Sequence, residues 1–472
     1  MNGPLVMKFG GTSMGSAERI RVAARIAAEQ RPRRSVAVVV SAMSGVTDLL
    51  IEALKHAEVG NRDGMETKLR QLEERHLETC RELIPPEQRA ATLSAIENKI
   101  ADFRRIAHGV LMLGERPPRS VDEGIAMGEH LSSMLMAAYL RSQGVPAEAV
   151  NCEEIIVTDA VFGSASPLLE PTRERVRARL VPMLENGCLP VATGFNGATA
   201  DGHPTTLGRG GSDYTASILA FALDASELWI WTDVDGIMTA DPRLVPNAAV
   251  LREVTYREAA ELAYNGAKVL HPRTLAPLVE KQIPVWSKNS FAPEKPGTRI
   301  ASSIDAPGGA RAVTSMAKVA LLSVEPASAT VSGARIMARA LDALSGTNTE
   351  VLAFSSSSYQ QSFCFLIRKE DVAPALEAIE AALRLELAHG YLKPIAVDQN
   401  VGLLAVVGEG MRGTPGIAGR VFTAVSRENV NIIAIAQGSS ELTIAIVVHR
   451  DGLEKAVQAV HAECQMAEKA GA

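Results

Sequence analysis

The sequence predicts an α/β protein in which a mostly parallel sheet, covered by helices on both faces, precedes two copies of a smaller ferredoxin-like unit. Three observations carry this expectation. Continuous apolar runs at Val36–Val40, Leu189–Ala192, Glu227–Trp231 and Ile283–Val285 alternate with stretches of helical spacing, the pattern of strands buried on both faces and joined by crossover helices. Two loops then carry paired glycines followed by hydroxyl residues, Gly10-Gly11-Thr12-Ser13 and Gly210-Gly211-Ser212. Such a turn leads from strand to helix while leaving backbone N–H groups open to an anion. Finally, Val319–Val324 lines up with Val401–Val406 at a spacing of 82, and Ala340–Ser345 with Val421–Ser426 at 81. Each copy continues through a further strand, a serine-rich turn, another strand and an amphipathic helix, the ferredoxin-like order. Two such copies have sheet edges to cover, and pairing with each other or with a second chain is the expected solution.

Length and composition bound the possibilities. At 472 residues, 47% hydrophobic and 22% charged, the chain is globular and too long for one core, so two to four domains are expected. A net charge of −6 provides no basic stripe, and no nucleic-acid partner is expected. The five cysteines, Cys80, Cys152, Cys188, Cys364 and Cys464, lack metal-ligand spacing and read as reduced thiols. Neither a signal-peptide pattern nor an apolar run of roughly 18 residues occurs, so a cytoplasmic protein without a membrane span is expected.

Taken in order, the elements place charged groups at strand ends, where open α/β sheets bind ligands. Lys8 ends the first apolar run. An isolated lysine near an N-terminus is ordinarily a solvated charge, but the glycine pair and the capping candidates Thr12 and Ser13 directly after it favour phosphate. Ser41–Asp48 is a small, hydroxyl-rich loop opening a helix; Ser41 and Thr47 can donate to a substrate, and helix capping alone accounts for one of them. Residues 62–113 read as two amphipathic helices broken at Pro85-Pro86 and are assigned no chemistry. Glu129 sits in an otherwise apolar helix and needs a partner if buried, either a structural cation or a substrate ammonium. His130 reads as an ordinary helix-surface histidine.

In the second glycine loop Arg209 offers a planar fork suited to a carboxylate. Asp213 can cap the helix that follows, orient Lys8 or help hold magnesium. Trp231–Arg243 is a turn-rich segment with three acids, Asp233, Asp235 and Asp241, which also resembles a plain turn or a calcium loop but lacks the closing glutamate. Lys268, after Gly266, is a candidate for the far side of the phosphates. Pro293–Thr298 and Ala306–Gly309 mark the main domain boundary. One site for phosphoryl groups and one for an acid is the outline of a kinase, and no His/Cys constellation competes with magnesium for a metal role.

In this order the motifs K-F-G-G-T-S at Lys8–Ser13, S-A-M-S-G-V-T-D at Ser41–Asp48, G-E-H-L-S-S at Gly128–Ser133, G-R-G-G-S-D at Gly208–Asp213, W-T-D-V-D-G at Trp231–Gly236 and G-A-K-V-L-H-P at Gly266–Pro272 resemble those of the aspartate kinases of the amino-acid kinase family. The tandem repeat resembles that family's paired ACT domains. The resemblance implies a three-layer αβα catalytic domain over residues 1–300 and ACT-type domains over 316–398 and 399–472. It implies transfer of the γ-phosphoryl of Mg-ATP to the β-carboxylate of L-aspartate, toward lysine, threonine and methionine. A carboxylate is already a nucleophile, so positioning and charge stabilisation are the expected means.

By the same resemblance Lys8, Gly10, Gly11 and Lys268 hold phosphates, and Asp213 organises the centre. Phe9, Thr232, Asp233, Met238, Arg243 and Val269 face the nucleotide. Ser41, Thr47, Glu129, Arg209, Gly210, Gly211 and Ser212 surround aspartate, Glu129 taking its ammonium and Arg209 its α-carboxylate. No side chain binds metal directly, magnesium being held by the ATP phosphates. Gln437, Ser440 and Glu441 form an effector turn for threonine, lysine or both, and the repeats imply a homodimer or larger assembly. Met238 stands where many family members have tyrosine, and the first repeat offers Ser356-Ser357-Ser358-Tyr359-Gln360 in place of the effector turn. The second repeat resembles the kinase part of threonine-sensitive bifunctional aspartokinase–homoserine dehydrogenases.

Overall fold

The computed structural model of the chain describes residues 3–267, 270–305, 308–327, 332–347, 349–357, 362–464 and 466. The chain forms two compact units: residues 1–237, 252–256 and 270–304 in the first, and 238–251, 257–269 and 305–472 in the second.

The first unit begins with β1 (Leu5–Phe9), α1 (Ala17–Gln30), β2 (Val36–Val40), α2 (Val46–Glu58), α3 (Arg62–Leu83), α4 (Ala90–Leu113), α5 (Pro118–Ile125) and α6 (Met127–Ser142). It continues with β3 (Ala147–Val150), β4 (Val157–Thr158), α7 (Leu169–Glu185), β5 (Leu189–Thr193), β6 (Asn196–Thr199), β7 (Pro204–Thr206), α8 (Gly211–Ala222), β8 (Glu227–Thr232) and β9 (Glu253–Thr255). After α9 (Tyr256–Tyr264), which lies almost wholly in the second unit, come α10 (Pro272–Lys281), β10 (Val285–Asn289) and β11 (Thr298–Ala301). Eight strands form one sheet in the order β3-β5-β2-β1-β8-β10-β11-β9, parallel throughout except for the β10–β11 pair.

Successive side chains on a strand point to opposite faces, and the sheet uses both. Leu5, Met7, Phe9, Val36, Val38 and Val40 join one buried core with residues of α1, α2, α3, α4 and α6, while α8 packs on the other side of β1, β2 and β8. Lys8 alternates with Met7 and Phe9 and so faces the α8 side. β1 is central, with β2 on one side and β8 on the other, so the loops leaving β1 and β8 diverge at its C-terminal end and open a crevice there. The strand expected at Ile283–Val285 begins only at Val285, because Pro284 has no N–H for the ladder; its carbonyl accepts from Leu228 instead. Helices α3 and α4 flank the Pro85-Pro86 break as expected. A small sheet, β4-β6-β7, lies before the second glycine loop.

The second unit contains β12 (Ala312–Val324), α11 (Gly333–Ser345), β13 (Ala353–Ser356), β14 (Phe363–Arg368), α12 (Val372–Ala382), α13 (Arg384–Ala388), β15 (Ala396–Val407), α14 (Ile417–Arg427), β16 (Ile432–Gln437), β17 (Thr443–His449) and α15 (Arg450–Glu463). The repeats do not build separate sheets. One six-stranded sheet runs β13-β14-β12-β15-β17-β16, because the long strands β12 and β15 each serve both copies. Val319–Val324 pairs with β14 on one side and, over Val319–Ser323, with Ala396–Val401 of β15 on the other, whereas Ala312–Met316 pairs with Leu403–Val407. The inner edges of the two copies thereby cover each other.

The second unit also takes in two earlier pieces of chain. Ala240 and Val245 share a buried core with Val313, Leu404, Val421 and Val457, and the Thr239 hydroxyl is 2.9 Å from His461 Nε2. On α9, buried Glu258 pairs with buried Arg311 at 3.1 Å. Among the described residues no helix is long and apolar enough to cross a membrane.

Candidate active site

The end of β1 delivers the first charge. Lys8 is largely buried, and its Nζ lies 2.6 Å from Asp213 Oδ1. Asp213 occupies the first turn of α8, where a negative charge suits the helix dipole. Gly210, at φ 70, provides the left-handed residue that starts this helix without strain. At Gly211 a Cβ would meet Phe195 Cδ2 at 2.5 Å, so only glycine lets the loop lie this close.

Two backbone bonds fasten the loop after β2 to the first glycine loop: Ser41 N donates to Phe9 O and Ser44 N to Gly11 O. The Ala42 amide donates to Glu129 Oε1 at 3.0 Å. Glu129 is buried, and its Oε2 has no hydrogen-bond partner among the described residues. Burial outweighs the help of the Ala42 amide and of nearby Lys8, and raises the carboxyl to about 8.

These groups line one cavity of about 370 Å³. Of the residues singled out from the sequence, Lys8, Gly11, Ser41, Thr47 and Glu129 line it, as do Gly210, Gly211, Ser212 and Asp213. Arg209 stands exposed on the loop between two lining glycines, Gly208 and Gly210, and does not itself line the cavity. The cavity can therefore hold a small ligand between an ammonium–carboxylate pair, a second carboxylate and the glycine-rich start of α8.

Residues that sequence reasoning did not select also line it: Met43, Ser44, Gly45, Asp48, Gly208 and Phe195. Phe195 adopts φ 70, a costly conformation for an aromatic residue. It is held there by Thr215 Oγ1, which accepts from its N–H, and by Leu207 N, which donates to its carbonyl. No residue type in Gly194-Phe195-Asn196 signals this. Ser44, Gly45 and Asp48 were legible as part of the Ser41–Asp48 loop, but nothing distinguished them from helix-capping residues.

Beside the cavity, the end of β8 is tied to both neighbouring loops. Gly10 N donates to Trp231 O, Ser290 N donates to Thr232 O, and the hydroxyls of Ser13 and Ser290 are 2.7 Å apart. Thr232 Oγ1 donates to Asp233, which is exposed. Asp235 accepts from Asn289 and from Lys295, each at 2.6 Å, which closes the turn after β8. Gly10 stands with its α-carbon side toward Lys8 Nζ. Phe9 is a core residue stacked on Trp231, so only its backbone is available to a ligand.

Met238 and Arg243 belong to the second unit; Arg243 is exposed and clasped by Asp241. Lys268 and Val269 lie outside the described residues, as do Ser358, Tyr359 and Gln360. Gln437, Ser440 and Glu441 are exposed in the second unit, and Glu441 Oε2 accepts from Gly413 N at 2.8 Å. His130, expected on a helix surface, is instead buried and bonded to Glu153 at 2.9 Å; packing of both helix faces removes the surface assumed for it.

The model of the amino acid kinase family matches residues 3–289, and that of an ACT domain matches 404–464. The chain is 33% identical over 465 residues to a chloroplastic bifunctional aspartokinase/homoserine dehydrogenase of Arabidopsis thaliana, covering 97% of this chain and 50% of that protein. It thus spans about half the length of such curated relatives. The aspartokinase of Schizosaccharomyces pombe is 30% identical over 493 residues, covering 98% of this chain and 92% of that protein. Among solved structures, E. coli aspartokinase III in complex with aspartate and ADP is 31% identical, covers 98% of this chain and 99% of its own, and has a TM-score of 0.83. Clostridium acetobutylicum aspartate kinase is 26% identical, covering 98% and 100%, with a TM-score of 0.78. By motif order, sheet topology, cavity and these likenesses, the chain belongs to the aspartokinases of the amino acid kinase family.

Proposed function

We propose that the protein is an aspartate kinase, transferring the γ-phosphoryl of ATP to the β-carboxylate of L-aspartate to give 4-phospho-L-aspartate and ADP. The observation that carries this reading is the cavity itself: buried Glu129, with an unpartnered oxygen, and the Lys8–Asp213 pair line the same 370 Å³ space. Glu129 suits an ammonium, and the N-terminus of α8 with exposed Arg209 suits the α-carboxylate. Lys8 supplies positive charge where the β-carboxylate meets the phosphoryl group.

In the reaction a β-carboxylate oxygen attacks phosphorus while the bond from phosphorus to the ADP oxygen breaks. No proton has to leave the nucleophile, so the residues contribute position and charge. Lys8 neutralises charge on the transferring group, Asp213 fixes Lys8, and Thr232 and Asp233 stand at the nucleotide side. Lys268, Val269, Met238 and Arg243 are proposed to join them.

Asp213 lines the cavity with a hard carboxylate oxygen, which fits magnesium carried on the ATP phosphates. Magnesium would supply charge neutralisation at the β- and γ-phosphates.

Gln437, Ser440 and Glu441 are proposed as part of an amino-acid effector site, with threonine or lysine the ligand, in a cytoplasmic homodimer or larger assembly. The exposed turn they occupy at the end of β16 supports this reading. Trapping the acyl phosphate with hydroxylamine tests the activity: product should require both aspartate and Mg-ATP. Absence of hydroxamate with aspartate, or equal yield with glutamate, would refute it. Titrating that activity with threonine and lysine tests the effector.

A further inference from the structure

One buried carboxylate outside the cavity takes no part in the chemistry above. Asp122, on α5, is 1% exposed, and among the described residues its carboxylate is bonded by neutral donors only. It accepts three hydrogen bonds: Gly163 N to Oδ2 at 2.8 Å, Thr206 N to Oδ2 at 2.9 Å and the Thr206 hydroxyl to Oδ1 at 2.9 Å. A buried charge satisfied only by neutral donors is costly, and its partners show what it holds.

Asp122 sits seven residues before Glu129. The intervening Ala126 keeps helical dihedrals, φ −58 and ψ −24, so α5 and α6 run on almost as one helix. The carbonyl of Ala126 accepts from Asn196 Nδ2 at 3.2 Å, and Asn196 is the register partner of Thr206 in the β6–β7 pair. The helix that carries Glu129 is therefore bonded twice, one turn apart, to a single rung of that hairpin.

Both strands of the rung lead directly into the cavity wall. Asn196 follows Phe195, and Thr206 stands two residues before Gly208. The third partner holds the floor of the same loop: a Cβ on Gly208 would sit 3.2 Å from Gly163 O and 3.1 Å from Ser164 Oγ, and Ala165 N donates to Thr206 O.

We infer that Asp122 is a positioning residue for the acceptor substrate: its three hydrogen bonds fix the separation between Glu129 and the Gly208–Asp213 loop. The ammonium-binding and α-carboxylate-binding groups are thereby held at the spacing of one small amino acid. This inference rests on the aspartate kinase reading. Its mark is selectivity, because the clasp touches the amino-acid side of the cavity and not the Thr232 side.

The test uses the full chain with three substitutions. Asp122→Ala removes all three hydrogen bonds. Asp122→Asn keeps the shape, with its carbonyl accepting from both amides and its NH2 group donating to the Thr206 hydroxyl. Thr206→Val removes one donor and guards against a misfolded alanine variant.

The aspartate KM of Asp122→Ala should rise about tenfold or more, the loss expected for hydrogen bonds to a charged group, with the ATP KM within about twofold. Thr206→Val should shift the same constant in the same direction by a smaller factor, and Asp122→Asn should restore it to within about threefold. Amide exchange in a peptide spanning 206–213 should quicken in Asp122→Ala and not in Asp122→Asn. An unchanged aspartate KM, a matching rise in the ATP KM, or an asparagine variant as impaired as the alanine one would overturn the inference. Failure of the unsubstituted protein to phosphorylate aspartate would refute the activity instead, and the exchange comparison would then decide whether the clasp exists.

Discussion

Aspartate binding should expel a proton from Glu129. Burial raises this carboxyl to about 8 in the empty cavity, so at pH 7 roughly nine in ten molecules carry the proton there. A substrate ammonium demands the ionised form. Binding at pH 7 should therefore release about 0.9 proton per site, and the aspartate KM should fall about tenfold per pH unit from 6 to near 8 before levelling. Calorimetry of aspartate binding in buffers of different ionisation enthalpy counts the proton directly. The stability of the empty protein follows the same logic. The folded value lies above the unfolded value of 4.5, so between pH 4.5 and about 8 the folded state holds one proton that the unfolded state has lost, and stability falls as pH rises. The slope is about 1.4 kcal/mol per unit, with an upper limit near 5 kcal/mol across the window. Glu129→Gln removes that slope, so its melting temperature should exceed that of the unsubstituted protein at pH 8 and match it below pH 4.5. An aspartate KM independent of pH between 6 and 9, with no proton released, would refute the reasoning.

Three further outcomes follow from the geometry. Lys8→Ala should lower kcat at least about a hundredfold, the scale seen when one preorganised donor to a developing charge is lost; a loss under threefold in the hydroxamate assay would contradict the assigned role. All three tryptophans of the chain, Trp229, Trp231 and Trp286, ring Lys288, whose Nζ lies 5.3 to 5.5 Å from each ring centroid, and Trp231 directly precedes Thr232. ADP titration should therefore change intrinsic fluorescence, and a flat titration with saturating ADP would speak against nucleotide at the end of β8. Arg311→Ala should cost about 3–5 kcal/mol in denaturant unfolding of the second unit, because it removes the guanidinium that pairs with the buried Glu258 carboxylate and leaves the Glu409 amide at its other oxygen; the Arg311→Ala, Glu258→Ala double variant should lose less than the sum of the two single ones.

Much of the fold was legible because apolar periodicity is a local signal. The runs at Val36–Val40, Leu189–Ala192 and Glu227–Trp231 became β2, β5 and β8, and the Pro85-Pro86 break separated α3 from α4. The glycine loops and the charges within them were legible for a similar reason, since a tight strand-to-helix turn restricts residue type. What escaped depends on long-range partners. Phe195 takes a left-handed conformation imposed by Thr215 and Leu207, and phenylalanine carries no mark of it. Asp122 looks like any helix aspartate until Gly163 and Thr206 converge on it. The repeat spacing revealed two copies but not that β12 and β15 would be shared, because strand length and register are settled by the neighbour across the ladder.

The mixed ancestry of the second unit limits how the protein can be dissected. Its core packs Ala240 and Val245 among residues from beyond position 305, and His461 reaches back to Thr239. A fragment ended after Ile304 would keep the turn following β8 but strip the partners from 238–251 and from α9, leaving apolar side chains and Glu258 facing water. An isolated C-terminal fragment would lack the same pieces of its core. The effector role proposed for the Gln437–Glu441 turn is better tested by point changes there than by truncation.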